Sequence, residues 1–443
     1  MLLRRGRFFY WLISELVRKY TKALVLGVTL GIGLAIIFSR LGQQVQLGTV
    51  ERIGVVGEFS PSNLPLTIQK QISLGLTDIS QDGTATPSLA NTWQATDSGR
   101  VFTFHLRDDL IWHDGKKVEA KDINYNIRSV SFQEIDTSTI RVTLEAPYSP
   151  LPTILAKPLF RPGLKGLGPY KVASIRLKGD TVQYLKLTPV DSRELPSFEY
   201  RFYQTEALAT LAYKTGDIDI IEDISSAQGL KAWGVPTITE TVNRLRVVAL
   251  FFNLKRDPLL KEKSIRQALG YGLPAIEEER AYSPIAKTSW GYTDRLRKFD
   301  PDMVQAKKLL ANADIASGSA TLTLTTFPQY IDTAQLIARQ WSALGITTSV
   351  RVESSVPSDY QVLLSAIDIP PDPDQYPFWH STQTSTNITG YVNLKIDKLL
   401  EDGRIEFDPE ERKKIYADFA RRLVDDAPAI FLYYPKTYTI KRK

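Results

Sequence analysis

The sequence predicts an α/β architecture of two or three domains, preceded by one N-terminal transmembrane helix, and three observations lead to this prediction. The chain has 443 residues, which is more than one compact hydrophobic core normally holds. Strand-like and helix-like segments interleave along most of its length. A single long apolar run lies near the N-terminus, between residues 23 and 39.

Several segments are rich in β-branched and aromatic residues, and they predict strands at Ile53–Val56, Val101–Leu106, Ile140–Leu144, Thr181–Leu187, Ala320–Thr326 and Ser349–Val352. Apolar residues at helical spacing predict helices at Ser264–Tyr271, Asp302–Ala313, Thr333–Leu344 and Glu410–Val424. The pairs Asp300-Pro301 and Asp408-Pro409 each place a capping acid before a proline that can open a helix. Gly345 indicates a helix end, and residues 118–127 are expected to lead from a strand end into a helix.

Composition excludes several classes of protein. Hydrophobic residues make up 43% of the chain and charged residues 23%, which is typical of a soluble globular protein rather than a disordered, collagenous or polytopic membrane protein. The chain contains no cysteine. Disulfides, thiolate metal sites, a catalytic cysteine and a lipid-modified N-terminal cysteine are therefore excluded.

The basic character of the chain is concentrated at its N-terminus. Residues 1–22 carry six basic residues against Glu15 alone, which is a net charge of +5 out of a formal total of +6. The rest of the chain therefore has a net charge of only +1. Since a nucleic-acid groove needs a basic surface on the folded domain, we expect no nucleic-acid partner.

The apolar run Ala23–Ser39 is uncharged and is bounded by Lys22 and Arg40. As a helix it would span roughly 26 Å, enough to cross a bilayer core with flanking cations at the interfaces. A buried core helix would show polar positions, and a cleaved signal peptide would be followed by an A-x-A-like site, which is missing. We therefore predict an uncleaved signal anchor, with residues 1–22 as a cytoplasmic leader, residues 40–47 as a linker and the remainder exported. Whether the leader forms an interfacial helix stays open.

Motifs for catalysis and metal binding are missing from the sequence. It contains no Gly-x-Ser-x-Gly elbow, no P-loop and no His-Glu-x-x-His pattern. The three histidines, His105, His113 and His380, are scattered, and His105 and His113 are expected to be structural. We predict no catalytic residue, no metal site and no cofactor. A hydrolase that uses two carboxylates is the enzyme class that the sequence leaves open.

A series of short motifs appears in a specific order along the chain. The motifs are Pro87–Trp93, Phe102–Arg107, Trp112–Asp122, Gly168–Tyr170, Gly216–Asp219, Phe252-Asn253, Ile265–Leu269, Ala306–Leu310 and Asp425–Pro428. In this order they resemble the family-five extracellular solute-binding proteins, which include the oligopeptide- and dipeptide-binding proteins of ABC importers. The resemblance covers roughly residues 50–435, and the shared order carries it rather than any single motif.

This resemblance implies a two-lobed fold of the periplasmic-binding-protein type, with mixed sheets and a ligand enclosed between the lobes. Lobe 1 is expected at residues 48–248 with a reduced subdomain near 66–160, and lobe 2 at residues 249–443. A return of the C-terminal strand to lobe 1 stays open. The implied partners are a peptide, an ABC permease and its ATPase, and the lipid bilayer through residues 23–39. The alternatives are a membrane-tethered sensor or other non-transport binding domain, and a binder of a non-peptide solute such as chelated nickel.

The resemblance also indicates ligand-binding residues. Residues 363–368 form an apolar strand that ends in Asp368, and they resemble the family segment whose edge pairs with the peptide backbone and whose terminal Asp binds the α-ammonium group. Asp368 is therefore the predicted ammonium ligand, and Ser365 and Ala366 are the predicted main-chain contacts. Asn253 is predicted at the crossover between the lobes, as a further ligand contact. The alternative for Asp368 is a cap of the proline-containing turn that follows it.

Overall fold

The computed structural model describes residues 18–22, 49–191, 195–231, 233, 236–313 and 320–442. Residues 18–22 are helical and exposed. Within these ranges no helix is both long enough and apolar enough to cross a membrane. The predicted anchor at residues 23–39 lies outside the described residues, as does most of the leader.

Eighteen strands form within the described ranges, and in chain order they are β1 (Val50–Val56), β2 (Thr77–Ile79), β3 (Ala85–Pro87), β4 (Ala90–Thr96), β5 (Val101–Leu106), β6 (Val130–Asp136), β7 (Thr139–Leu144), β8 (Tyr170–Lys178), β9 (Thr181–Pro189), β10 (Ser197–Tyr203), β11 (Ile220–Ile224), β12 (Thr237–Val242), β13 (Arg246–Phe252), β14 (Ala320–Thr326), β15 (Ile346–Val352), β16 (Val362–Asp368), β17 (Ala429–Tyr433) and β18 (Lys436–Lys441).

Besides the helical residues 18–22, ten α-helices form within the same ranges, and they are α1 (Leu66–Ile72), α2 (Leu151–Ile154), α3 (Glu206–Thr215), α4 (Pro258–Lys261), α5 (Lys263–Tyr271), α6 (Met303–Ala311), α7 (Ile331–Ala343), α8 (Tyr376–Trp379), α9 (Leu394–Ile405) and α10 (Pro409–Asp426).

The strands form two large mixed sheets, a smaller antiparallel sheet of four strands and a two-stranded antiparallel sheet of β2 and β3. The first sheet has seven strands in the order β12-β18-β11-β1-β10-β9-β8, and the second has five in the order β15-β14-β16-β13-β17. The small sheet, β4-β5-β7-β6, lies in the sequence between strands β1 and β8 of the first sheet. We call residues 49–242 with 436–442 lobe 1, residues 75–160 within it the small subdomain, and residues 246–433 lobe 2.

The chain crosses between the two large sheets twice. One crossing lies between Val242, at the end of β12, and Arg246, at the start of β13. The other lies between Tyr433, at the end of β17, and Lys436, at the start of β18. Strand β18 pairs with β11 and β12, so the last described strand is part of the lobe 1 sheet.

Each lobe has a hydrophobic core of its own. The lobe 2 core surrounds β13, whose residues from Val247 to Phe252 are all buried, and it includes Trp341 from α7. A separate cluster fills the small subdomain around Phe104 and Trp112. The six consecutive buried apolar residues of β13 are typical of a strand that is covered on both faces.

Several helix boundaries follow from local chemistry. Asp408 accepts hydrogen bonds from the amides of Glu410 and Glu411, and Pro409 is the first helical residue of α10, as the sequence predicts. The helix α7 ends before Gly345, which has a φ of +87° and so confirms the predicted stop.

Two local predictions are wrong. Helix α6 begins at Met303 rather than directly after Asp300-Pro301, because Asp302 caps it by accepting from the amide of Gln305. Residues 118–127 do not lead into an α-helix. A single 3-10 turn at Ala120–Asp122 ends in extended backbone at Ile123, and a side-chain hydrogen bond from the Asn126 amide to Asn124 follows.

Candidate functional site

The carboxyl ends of the parallel strands in both lobes lie on the side of the crossovers. In lobe 2, Asp368 at the end of β16 pairs with Arg246, the residue that follows the first crossover. Strand β14 runs parallel to β16 and pairs Thr326 with Leu364, so it ends at the same edge. In open α/β sheets, ligands bind outside this edge. We therefore place the candidate site where the two carboxyl edges meet the crossovers.

The matching edge of lobe 1 follows from its register. Strand β11 pairs Ile224 with Tyr438 of β18, close to the second crossover. Strand β1 runs parallel to β11, and the amide of Gly57 just after it donates to the carbonyl of Tyr203 at the end of β10. Gly57, Glu58 and the residues after Tyr203 therefore lie on the cleft side of lobe 1.

The predicted ammonium ligand lies at this cleft edge. The Asp368 side chain is 81% exposed, and its carboxylate is 3.3 Å from Nε of Arg246, which is itself 49% exposed. Burial raises the pKa of the Tyr330 hydroxyl. The charge of Arg246 lowers that pKa and the charge of Asp368 raises it. Burial also raises the pKa of Tyr433 to about 12. The two phenols are therefore neutral at physiological pH, and Asp368 is a reachable charge beside an uncharged aromatic wall.

The main chain beside Asp368 has one free edge. The amide of Ile369 donates to Leu245, on the β13 side. Because hydrogen-bonding direction alternates along a regular antiparallel strand, Ser365 and Ile367 also face β13, whereas Ala366 and Asp368 face the other side. On that side β14 ends opposite Leu364, and among the described residues no further strand continues it. The amide of Ala366 is thus available to a ligand, whereas its carbonyl accepts a hydrogen bond of 3.3 Å from the Ser365 hydroxyl and the main chain of Ser365 is used within the sheet.

The position predicted for Asn253 is wrong. Asn253 follows the last residue of β13, whereas the crossover precedes its first residue, so the strand separates the two by roughly 20 Å. Its side chain donates to the carbonyl of Tyr360 and accepts from the amide of Lys255. These bonds close the loop at the far end of the sheet. A ligand contact of Asn253 stays a prediction.

The small subdomain contacts lobe 2 directly. The amide of Ser149 donates to the carbonyl of Arg404 at 2.7 Å, and the Tyr148 hydroxyl donates to Asp374 at 3.2 Å. The amide of Trp290 donates to the carbonyl of Asp82 at 2.9 Å. We call this contact the seam. A cavity of about 480 Å³ opens between the subdomain and helix α10 at the seam.

Two glycines of the subdomain allow this close approach. A Cβ at Gly83 would overlap the carbonyl oxygen of Pro371, and a Cβ at Gly99 would overlap the ring of Phe407. Both glycines have a positive φ, +89° and +88°, which is the conformation that other residues rarely adopt. The Phe407 ring also lies 6.1 Å from that of Phe102. Sequence reasoning did not find the seam, although glycine in a polar turn beside strand β3 was a possible signal.

Buried ion pairs support the lobe 2 side of the seam. Arg412 and Asp372 are 7% and 6% exposed and form two hydrogen bonds of 2.7 and 2.8 Å. Burial lowers the pKa of Arg412, but the pairing with Asp372 outweighs it and the net shift is upward. Arg404 donates to Asp374 at 2.9 Å. Burial raises the pKa of Asp374, and Arg404 opposes that shift.

The Trp-His-Asp run at residues 112–114 has structural contacts. The ring of His113 is within hydrogen-bonding distance of the carbonyl of Gly168 and the amide of Gly166, at 2.9 and 3.2 Å. The indole of Trp112 donates to Asp122 at 3.2 Å. Across the part of the chain that the structure describes, no group of three or more His, Asp and Glu side chains could hold a metal ion.

Comparison with known proteins gives consistent matches. The family model described as "Bacterial extracellular solute-binding proteins, family 5 Middle" matches residues 84–389. The oligopeptide-binding protein AppA of Bacillus subtilis is 23% identical over 87% of this chain and 86% of its own. Its structure in complex with a nonapeptide has a TM-score of 0.69 at 20% identity, covering 89% of this chain and 95% of its own.

A second solved structure is similar at the level of the fold. NikZ from Campylobacter jejuni in complex with Ni(L-His) has a TM-score of 0.74 at 23% identity, and the match covers 89% of this chain and 94% of that one. Both structures share the two-lobed α/β arrangement, and at this identity they show the fold alone.

Proposed function

Because the chain belongs to the bacterial extracellular solute-binding proteins of family 5, we propose that it captures peptides between its two lobes and delivers them to an ABC transporter. The curated relatives are named as oligopeptide- and dipeptide-binding proteins, among others. The protein acts by binding and lobe closure, and no covalent chemistry is required of it. We also propose lobe boundaries at residues 243–245 and 434–435, where the chain leaves one sheet for the other.

One observation carries the peptide assignment, namely the free main-chain edge at Ala366 that ends in Asp368. An extended peptide needs main-chain donors and acceptors whatever its sequence, and the edge of β16 offers them. Its α-ammonium group needs an opposing charge, and Asp368 is exposed at the end of that edge. In this arrangement the ammonium group replaces Arg246 as the partner of Asp368.

Replacement of Asp368 by asparagine is expected to weaken peptide binding by about 2 kcal/mol, or roughly thirtyfold, because closure of the lobes removes the ammonium–carboxylate pair from water. Calorimetry with short peptides that have a free amino terminus measures the effect. N-acetylated peptides should bind both proteins equally.

The matched control is Asp359→Asn. Asp359 is an exposed lobe 2 acid that is paired with Arg256 at 3.0 Å, and it precedes β16 at the far end of the sheet. Unchanged peptide affinity in the Asp368→Asn variant would show that Asp368 does not bind the ligand. Binding of a metal chelate in place of every peptide would favour the non-peptide alternative.

We also propose that residues 23–39 are an uncleaved signal anchor and that residues 41–443 are exported. The apolar run, its flanking cations and the basic leader support this topology. Protease added to intact cells should remove the large domain and leave a small membrane-protected fragment that contains the N-terminus. A mature protein that begins near residue 40 would contradict the anchor.

A further inference from the structure

A cavity of about 840 Å³ opens in lobe 1 at the cleft-facing edge described above. Its walls are the ends of β8 and β10, the start of β9, and the Gly57-Glu58 segment after β1. Register places these elements together, because Arg201 of β10 pairs with Tyr184 of β9 and Arg176 of β8 pairs with the same tyrosine. We call this cavity the basic pocket.

Three cations line the basic pocket against one acid. The cations are Arg176, Lys178 and Arg201, and the acid is Glu58. Glu58 already accepts a hydrogen bond of 2.5 Å from the side-chain amide of Gln204. Arg176 is stacked over the ring of Tyr184, with its guanidinium carbon 4.3 Å from the ring centroid. The pocket therefore has an excess positive charge, and one of its cations is held in place by an aromatic face.

Arg201 carries the strongest indication of a missing partner. Its Nε is buried and has no hydrogen-bond partner among the described residues. Its nearest acid is Asp217, whose carboxylate is 3.9 Å from Nη1, beyond hydrogen-bonding distance. A buried guanidinium donor without an acceptor is unfavourable. The Arg201 side chain as a whole is 34% exposed, and a planar guanidinium can bind the two oxygens of a carboxylate side by side.

We infer that the basic pocket binds a carboxylate of the ligand and so selects anionic peptides, those with a free C-terminus or an acidic side chain. The inference rests on the proposed peptide function. Asp368 on lobe 2 then holds the positive end of the ligand, and Arg176 and Arg201 on lobe 1 hold a negative group. A ligand with both charges contacts both lobes and favours their closure.

The test uses the full-length protein and two libraries of short random peptides, one with free C-terminal carboxylates and one with C-terminal amides. Captured peptides are quantified by mass spectrometry. The wild type should enrich the acid library about tenfold over the amide library. Arg176→Gln combined with Lys178→Gln should abolish this preference, and so should Arg201→Gln. Arg141→Gln, an exposed arginine on β7 of the small subdomain, is the matched control and should retain it.

Two further comparisons make the outcomes distinct. If the captured amide peptides are rich in Glu and Asp, the pocket binds acidic side chains. If peptides with a free C-terminal carboxylate are preferred whatever their composition, the pocket binds the C-terminus. Equal capture of both libraries with no enrichment of Glu or Asp among the captured amides, or a preference that survives all the pocket variants, would overturn the inference and leave the peptide function intact.

A separate measurement tests the pocket without peptides. Citrate should raise the thermal unfolding midpoint of the wild type and of Arg141→Gln, but not that of the Arg176→Gln/Lys178→Gln protein. Citrate stabilisation without capture of any peptide would overturn the proposed peptide function and retain the carboxylate pocket. Absence of citrate stabilisation in the wild type counts against the pocket.

Discussion

Replacement of Asp372 by alanine should lower the free energy of unfolding by about 3–5 kcal/mol, the range found when one partner of a buried ion pair is removed. Arg412 would keep its charge at 7% exposure with no carboxylate opposite it. Its remaining contacts are hydrogen bonds to the carbonyl of Gly403 and, at 3.5 Å, to the hydroxyl of Tyr416, together with the rings of Trp290 and Tyr416. Urea unfolding followed by tryptophan fluorescence measures the loss.

The matched control is Asp359→Ala, which removes one partner of an exposed pair. The side chains of Arg256 and Asp359 are 60% and 61% exposed, and such pairs contribute about 1 kcal/mol or less. Replacing both Asp372 and Arg412 by apolar residues of similar volume should recover much of the loss, because no unpaired charge is then buried. If Asp372→Ala costs no more than Asp359→Ala, Arg412 reaches solvent and the seam is more open than the structure shows.

Gly83→Val should weaken ligand binding about a hundredfold, or close to 3 kcal/mol, by preventing the contact between the small subdomain and lobe 2. The added side chain meets the carbonyl oxygen of Pro371, which is main chain of the other lobe and cannot turn aside. The two lobes must therefore separate at this point. The apparent affinity for the ligand decreases in proportion as fewer molecules can close their lobes. Small-angle scattering should show a larger radius of gyration, and calorimetry should show the weaker binding.

Gly163→Val controls for the strain of a positive φ. Gly163 has a φ of +85°, close to the +89° of Gly83, but an added Cβ there meets nothing within 4 Å. The two variants should lose similar amounts of thermal stability, and only Gly83→Val should change affinity and radius. Equal affinity in both would mean that the seam is not part of the ligand-bound state.

Several elements of this fold are determined by residues that are close together in the chain. Strands β5 and β14 have the predicted bounds, and the Asp408-Pro409 cap lies where its chemistry requires. These features depend on residues a few positions apart, so the local pattern contains the information. The cap of α6 lies two residues beyond the predicted Asp300, because a second acid, Asp302, was available.

The candidate site also combines features set by nearby residues with features set by residues far apart in the chain. Asp368 could be found from the sequence because an apolar strand ending in an acid is a local pattern with a family resemblance. Its neighbour Arg246 is more than a hundred residues away in the chain, and only the β13–β16 register brings the two together. Asn253 was misplaced for the related reason that a sequence does not show at which end of a strand the chain changes lobes.

From the sequence by itself came the α/β class, the family, several strand and helix positions, and the acid at the end of β16, because each rests on local periodicity or on the order of short motifs. Only the tertiary structure decided that β18 joins the lobe 1 sheet, that the subdomain meets lobe 2 through Gly83 and Gly99, and that Arg176 and Arg201 line one pocket. These features depend on strand pairing and on the approach of segments far apart in the chain. Their geometry is set by the packing of whole sheets, which no local pattern specifies.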